Sequence, residues 1–389
     1  MDLSEIMTPE QLQEVRAYSR TGLRCALWDR AIDLLFLGLM AFWAAEPAAR
    51  FLTRAVPALA ANEFLLLTAL LLGLTLLHLC VSFPLSFFSG WVLEKRYGLT
   101  HLTPLGWLRR WLLQMTLVFA LNLFLLTALI FLIRLCGPWW WAAVSVLFFF
   151  FSMILGCLMP VLVMPLFYRV ERLENDSLLA RFQDLTRSTS LKLTGIFRLD
   201  LSVETSKANA MLAGLGSTRR VLLGDTLLQN FTEDEITAVF AHEVGHHVHR
   251  HMRKMLFGML FVSFGVFWVT DLALRGWLGG SLAVTPDYAQ IPVWTFPFFI
   301  FAMTVIGQIL EPFQNALSRK FERQADAYAV SHCGAPSALR SAFIKLAIQN
   351  KADPFPSRWE VFWLHSHPAI GERIAAIPEN PFVLPSRSA

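Results

Sequence analysis

Six stretches of this chain, at about residues 31–48, 64–88, 111–133, 139–163, 255–274 and 293–312, are each apolar over the roughly 20 residues a helix needs to cross a bilayer. Inside lipid every backbone N–H and C=O must find its partner within the chain, so such stretches fold as helices. They make the expected fold class mainly α, a polytopic transmembrane bundle of six spans. A seventh would be 47–62 (EPAARFLTRAVPALAA), which is short and interrupted. Composition agrees: 55% of the residues are hydrophobic and 16% charged, where a soluble domain carries nearer a quarter. The lipid bilayer is therefore the first expected partner. A net charge of +4 without basic blocks excludes a nucleic-acid partner. The five cysteines form no C-x-x-C pair, which argues against a thiolate metal site and for structural thiols.

The spans divide the chain into an N-terminal part with spans one to four (1–168), a polar region (169–254), spans five and six (255–312) and a C-terminal polar region (313–389). Arg16, Arg20, Arg24, Arg30, Lys95, Arg96, Arg109 and Arg110 lie on one side of the spans; Arg50, Arg54, Arg134 and Arg275 lie on the other. That bias puts the N-terminus, the polar region and the C-terminus in the cytoplasm. The opening residues are too acidic and polar for a signal peptide, and Thr8-Pro9-Glu10-Gln11 predicts a helix start.

Within the polar region, 195–202 and 219–228 predict short strands on either side of a loop, SKANAMLAGLGST. The stretch 214–219 lacks the remaining glycine and the Lys-Ser/Thr of a phosphate loop. Thr232-x-x-Glu235 is a capping box, and the helical period that follows is expected to run straight into the fifth span. That helix carries His242-Glu243-x-x-His246. Side chains at i and i+4 share a face about 6 Å apart, a spacing at which two imidazoles can meet one tetrahedral Zn²⁺. Glu243 falls on the adjacent side, within reach of a metal-bound water.

The same helix holds further histidines. His249 lies roughly 10 Å along the axis from His242, too far to share one ion on a straight helix. His247 and His251 point away and, with Arg250, Arg253 and Lys254, predict a basic collar where the helix enters the membrane. A third ligand must come from another helix, and the segment 318–332 after the sixth span offers Glu322 and Asp326 at i, i+4. Glu322 would bind the metal while Asp326 accepts a hydrogen bond from a ligating imidazole. Alone, this segment would also suit a solvated charged helix with Arg319, Lys320 and Arg323 at the surface.

Taken together, AHEVGHH and SRKFERQADAYA resemble the integral-membrane gluzincins of the type I CaaX prenyl protease family, with the HtpX-type membrane proteases as more distant relatives. The resemblance runs from FPLSFFSGWVLEKRYGLT (83–100) to SHPAIGERIAAI (366–377). It implies a zincin-like cytoplasmic domain with a small β-sheet and one Zn²⁺ per chain on His242, His246 and Glu322. It further implies Glu243 as general base and Asp326 behind the ligands. Asn209 and Ala210 match an element whose strand edge aligns the substrate backbone. His367 and Arg373, in H-P-x-x-x-E-R, match positions lining the family's site; His367 would stabilise the oxyanion and Arg373 would buttress the glutamate. Without the resemblance, 365–368 reads as a turn before a last helix. Lys207 replaces a frequent histidine and Met211 an expected aromatic, changes that bear on substrate preference. Six spans rather than the family's usual seven, and no retrieval signal after PSRSA, suggest a bacterial-type member in the inner or plasma membrane.

The expected activity is zinc endopeptidase action on peptide or protein substrates that are membrane-associated or lipid-anchored, in CaaX-type C-terminal processing or in quality control of membrane proteins. His78, Gln114, Asn122, Asp271, Gln308 and Glu311, expensive against lipid, are expected around an internal wet cavity. The competing class is a membrane scaffold or transporter with a structural zinc, which has no need of Glu243. Oligomeric state has no sequence signal.

Overall fold

In a computed structural model of the chain, residues 6–189, 191, 193, 195–214, 220–282 and 284–378 are described. The stretch 215–219, set aside above as a phosphate loop, and the tail 379–389 lie outside them. Five helical runs are long and apolar enough to cross a membrane: Pro9–Ala55, Glu63–Arg96, Pro104–Phe167, His251–Gly279 and Val293–His332. Helix α1 (Pro9–Leu39) opens with a capping box in which Thr8 and Gln11 exchange side-chain to backbone bonds, behind Pro9. Helix α2 spans Glu63–Phe87. The third run is a hairpin. Helices α3 (Pro104–Cys136) and α4 (Trp140–Leu158) reverse at Gly137, whose φ of 52° favours glycine. Phe124 meets Phe151 across the pair at 6.0 Å. Counting both arms gives the six span-length segments expected. Residues 47–62 are short helical pieces broken at Val56-Pro57.

The bundle core gathers Ile133, Trp140, Phe267, Phe296 and Phe299. Asp271 corrects an expectation: it is wholly buried there rather than facing a wet cavity. It accepts from Trp140 Nε1 at 2.7 Å, Tyr288 Oη at 2.6 Å and Arg275 Nε at 2.8 Å, so its charge is fully partnered. His78 pairs with Asp33 at 2.8 Å, and Glu311 takes both guanidinium nitrogens of Arg30 at 2.7 and 2.8 Å. Asn122 lines a mainly apolar cavity of about 330 Å³ between the α3–α4 hairpin and neighbouring spans. All five cysteines are free; Cys25 is buried, Cys136, Cys157 and Cys333 are half-buried, and Cys80 is exposed on the membrane-spanning α2.

Outside the bundle lies a sheet of β1 (Val170–Arg172), β2 (Ile196–Leu199), β3 (Ala210–Ala213) and β4 (Arg220–Gly224), ordered β1-β2-β4-β3. β2 and β4 are the two expected strands; β3 occupies what sequence alone made a loop. It pairs antiparallel with β4 and forms the sheet edge. Asp225, at the end of β4, holds the neighbouring turn by accepting the backbone N–H groups of Leu201, Ser202 and Thr226. Helix α5 (Glu233–Val248) starts at the expected Thr232–Glu235 capping box and stacks Phe240 on Phe182 at 3.9 Å. The buried Glu235 also takes Ser341 Oγ and Lys345 Nζ from α8 (Pro336–Gln349), fixing the two helices together.

Helix α5 does not run into the fifth span as expected. His249 caps it and Arg250 sits in the left-handed region at φ 57°, after which α6 (His251–Gly279) starts anew. Helix α7 (Phe296–His332) carries the sixth span and continues past it beside α5. The chain closes with α8, α9 (Arg358–Leu364) and α10 (Ile370–Ala375).

Candidate metal centre and cleft

Helices α5 and α7 touch where Gly245 faces Ala325. A Cβ on Gly245 would lie 2.9 Å from Ala325 Cα and 3.0 Å from its carbonyl oxygen, so only glycine permits this approach. His242 and His246 flank Gly245 on one helix, and Glu322 lies one turn before Ala325 on the other. Their ligand atoms converge. His242 Nε2 is 3.1 Å from His246 Nε2, and each is 3.3 Å from a Glu322 oxygen. An ion held tetrahedrally at 2.0–2.1 Å from its ligands spaces them by about 3.4 Å. The three ligand atoms lie within 4.8 Å of one another. Glu322 Oε2 is buried and makes no hydrogen bond of good geometry among the described residues, with His242 Nε2 3.3 Å and Arg373 3.6 Å away, so a cation would complete its bonding. The residues fit zinc.

Around this group the structure places the remaining expected residues. Asp326 Oδ1 accepts from His242 Nδ1 at 2.8 Å, and Arg373 clamps both oxygens of Asp326 at 2.7 and 2.8 Å. Arg373 also reaches Glu322 Oε2 at 3.6 Å and stacks over Phe343 at 4.2 Å. Burial pulls the pKa of metal-free His242 down, but its bonds to Asp326 and Glu322 outweigh this and lift it to about 9. His367 Nε2 stands 3.3 Å from Glu322 Oε1; desolvation lowers its pKa against the opposing pull of Glu322, which favours the neutral ring. Glu243, His242, Glu322 and His367 line a cleft of about 580 Å³ together with Asn209 and Ala210.

Among the described residues, the cleft's edge strand has one face that pairs with β4 and one that does not. Gly224 N–H donates to Asn209 C=O at 2.9 Å, so residue 209 faces β4. By antiparallel alternation, the backbone groups of Ala210 and Leu212 turn the other way. Ala208, on that same outer side, is already taken: Asn350 accepts its N–H at 2.8 Å and donates to its C=O at 3.1 Å, as a strand would. Lys207, the departure noted above, is spent on Glu94 at 2.8 Å and Tyr18 at 3.0 Å.

Sequence reasoning missed four residues here. Arg319, expected at the surface if α7 were a solvated helix, is buried; it donates to the carbonyls of Val361 and His365 and so holds the segment leading to His367. His251, expected in a basic collar, is 1% exposed and packs against His246. Asn350 lies in no motif, and Gly245, although inside AHEVGHH, has no role that the motif assigns. The one available signal was the small side-chain pair Gly245 and Ala325, interpretable only once α5 and α7 are known to cross.

A helix bearing H-E-x-x-H, a glutamate from a second helix and an apolar helical bundle together define a membrane-embedded zinc metallopeptidase. Residues 172–380 match peptidase family M48, and residues 1–169 match the region described as CAAX prenyl protease N-terminal, five membrane helices. The chain belongs to the M48 family, in its CAAX prenyl protease 1 branch. It is 30% identical to the Arabidopsis thaliana CAAX prenyl protease 1 homolog, over 96% of this chain and 88% of that one. It is 26% identical to the Bacillus subtilis uncharacterized metalloprotease YhfN, over 96% and 87%. Its fold superposes on the crystal structure of S. mikatae Ste24p with a TM-score of 0.81 at 25% identity, covering 96% and 89% of the two chains.

Proposed function

We propose that the chain is a zinc endopeptidase of membrane-associated or lipid-anchored polypeptides, cutting near their C-termini as CaaX processing requires. The observation that carries this is that Ala210 of the edge strand β3 lines the same cleft as His242, Glu243 and Glu322. A substrate strand adding at Ala210 and Leu212 would be held by its backbone, leaving side-chain preference to the cleft walls. Zinc, when bound, supplies a Lewis acid that activates water at neutral pH. Glu243 accepts the proton of the attacking water and returns it to the leaving amine. His367, neutral near pH 7, donates its ring N–H toward the carbonyl oxygen as charge develops there. Arg373 holds Asp326 and offsets the charge of Glu322.

We place the N-terminus, protease region and C-terminus in the cytoplasm, from the Lys/Arg bias, and the protein in a bacterial inner or plasma membrane. The test offers the purified protein matched C-terminal peptides, with and without a farnesyl thioether, and maps the cuts by mass spectrometry. Cleavage three residues from the end, favoured by the isoprenyl group, supports CaaX processing. Internal cuts indifferent to the lipid would replace it with quality control of membrane proteins. A zinc-loaded protein that cuts nothing would favour the structural-zinc scaffold.

A further inference from the structure

The break between α5 and α6 puts a buried histidine beside a metal ligand. On a continuous helix, five residues of 100° each would turn His251 about 140° away from His246. With Arg250 in the left-handed conformation, a state that disfavours non-glycine residues by roughly 1–2 kcal/mol, His251 folds back instead. Its Nδ1 lies 3.0 Å from Nδ1 of His246, and its Nε2 lies 2.9 Å from Oε1 of Gln324. Its ring stacks on Phe321 at 4.3 Å and 11°. Phe321 precedes Glu322 and Gln324 follows it by two, so His251 touches both helices that supply ligands.

The direction of each hydrogen bond follows from the far end. A carboxamide oxygen only accepts, so His251 Nε2 carries the hydrogen facing Gln324. A neutral His251 then offers Nδ1 as an acceptor, and His246 Nδ1 must donate to it. His246 Nε2 is thereby left with its lone pair, and it is Nε2 that faces His242 and Glu322. We infer that His251, anchored by Gln324, is a positioning residue that fixes the tautomer and ring orientation of His246 for metal binding. The two ligating histidines are thus oriented by different chemistry: His242 by the carboxylate of Asp326, His246 by a neutral imidazole and an amide.

This rests on His246 being a zinc ligand, and the experiment separates the two claims. Zinc affinity of the full chain in detergent is measured by competition with a chromogenic chelator, beside the melting temperature of the metal-free protein. H251F keeps the ring stack but removes the acceptor, and should weaken zinc by about 10–100-fold. H251N restores an acceptor near the Nδ1 position and should stay within roughly threefold of wild type, as should Q324E, whose carboxylate can only accept. Q324L, at a half-buried position, should lose severalfold and carries the test if H251F does not fold. Wild-type affinity in H251F or, failing its folding, in Q324L overturns the inference, and so does an H251N protein as weak as H251F. H246A should abolish tight binding; if it does not, the ligand set is wrong.

Discussion

Gly245→Ala tests whether the helix crossing sets the metal site. The added methyl would sit 2.9 Å from Ala325 Cα, 3.0 Å from Ala325 O and 3.1 Å from Tyr328 Cβ. Carbon atoms rest at about 3.5–4.0 Å, so α5 and α7 must part by roughly 0.8 Å. The histidine–glutamate separations, 3.3 Å in the structure, then grow well beyond the roughly 3.4 Å edge a tetrahedral ion imposes. Zinc must either lose Glu322 or draw the helices back against overpacking worth about 1–3 kcal/mol. Alanine's helix preference, about 1 kcal/mol over glycine, stabilises the metal-free and zinc-bound forms alike and drops out of the binding constant. The expected result is a zinc Kd weakened by about 10–100-fold with little change in the metal-free melting temperature. A Kd within twofold of wild type, from the same chelator competition, would refute the idea that the Gly245–Ala325 approach holds the ligands in register.

Other perturbations probe neighbouring parts. Asp326→Asn removes the charge that orients His242 and pairs with Arg373, and should weaken zinc about 10–100-fold by chelator competition. Metal-free His242 holds a proton up to pH of about 9 that zinc must displace. Zinc affinity should therefore climb by up to about tenfold per pH unit between pH 7 and 9; a flat profile contradicts this. The same raised pKa stabilises the metal-free fold below the unfolded value of about 6.5, a contribution lost as pH passes about 9. At Asp225, burial raises the pKa, but hydrogen bonds from Ser202, Leu201 and Thr226 outweigh it and hold the value low. Its stabilisation is present above about pH 3.9 and lost as pH falls through the folded-state pKa. Asp225→Asn should then cost about 1–3 kcal/mol at neutral pH, with its melting deficit closing in acid. Ala210→Pro removes an outward N–H from β3 and should abolish peptide cleavage while zinc content stays at wild-type level.

The membrane bundle was legible because lipid leaves backbone only one helical solution per apolar stretch, and the metal ligands because their spacing is a property of single helices. Glu322 and Asp326 could be singled out by the same i, i+4 rule; the parts played by Asn209, His367 and Arg373 came only through family resemblance, and the structure brings all three to the cleft or its wall. What sequence could not supply depends on how elements meet. The α5–α6 break has no glycine to announce it, since Arg250 takes the left-handed conformation itself. That one backbone angle turned His251 from an expected surface residue into a buried neighbour of His246. Asp271 shows the same limit: its i+4 partner Arg275 was visible locally, but Trp140 reaches it from another span, and only that meeting of helices buries the carboxylate. β3 was hidden because a four-residue edge strand, Ala-Met-Leu-Ala, has no apolar/polar alternation to detect.

On the reading proposed above, His242, His246 and Glu322 hold one zinc and Glu243 moves the protons of peptide hydrolysis. Wild type and Glu243→Gln, purified in detergent and compared for zinc content and for cleavage of a peptide pool, test it directly. One zinc per chain is expected in both proteins, with hydrolysis in the wild type only. Cleavage by zinc-loaded Glu243→Gln, or a wild type that cleaves without stoichiometric zinc, would contradict it.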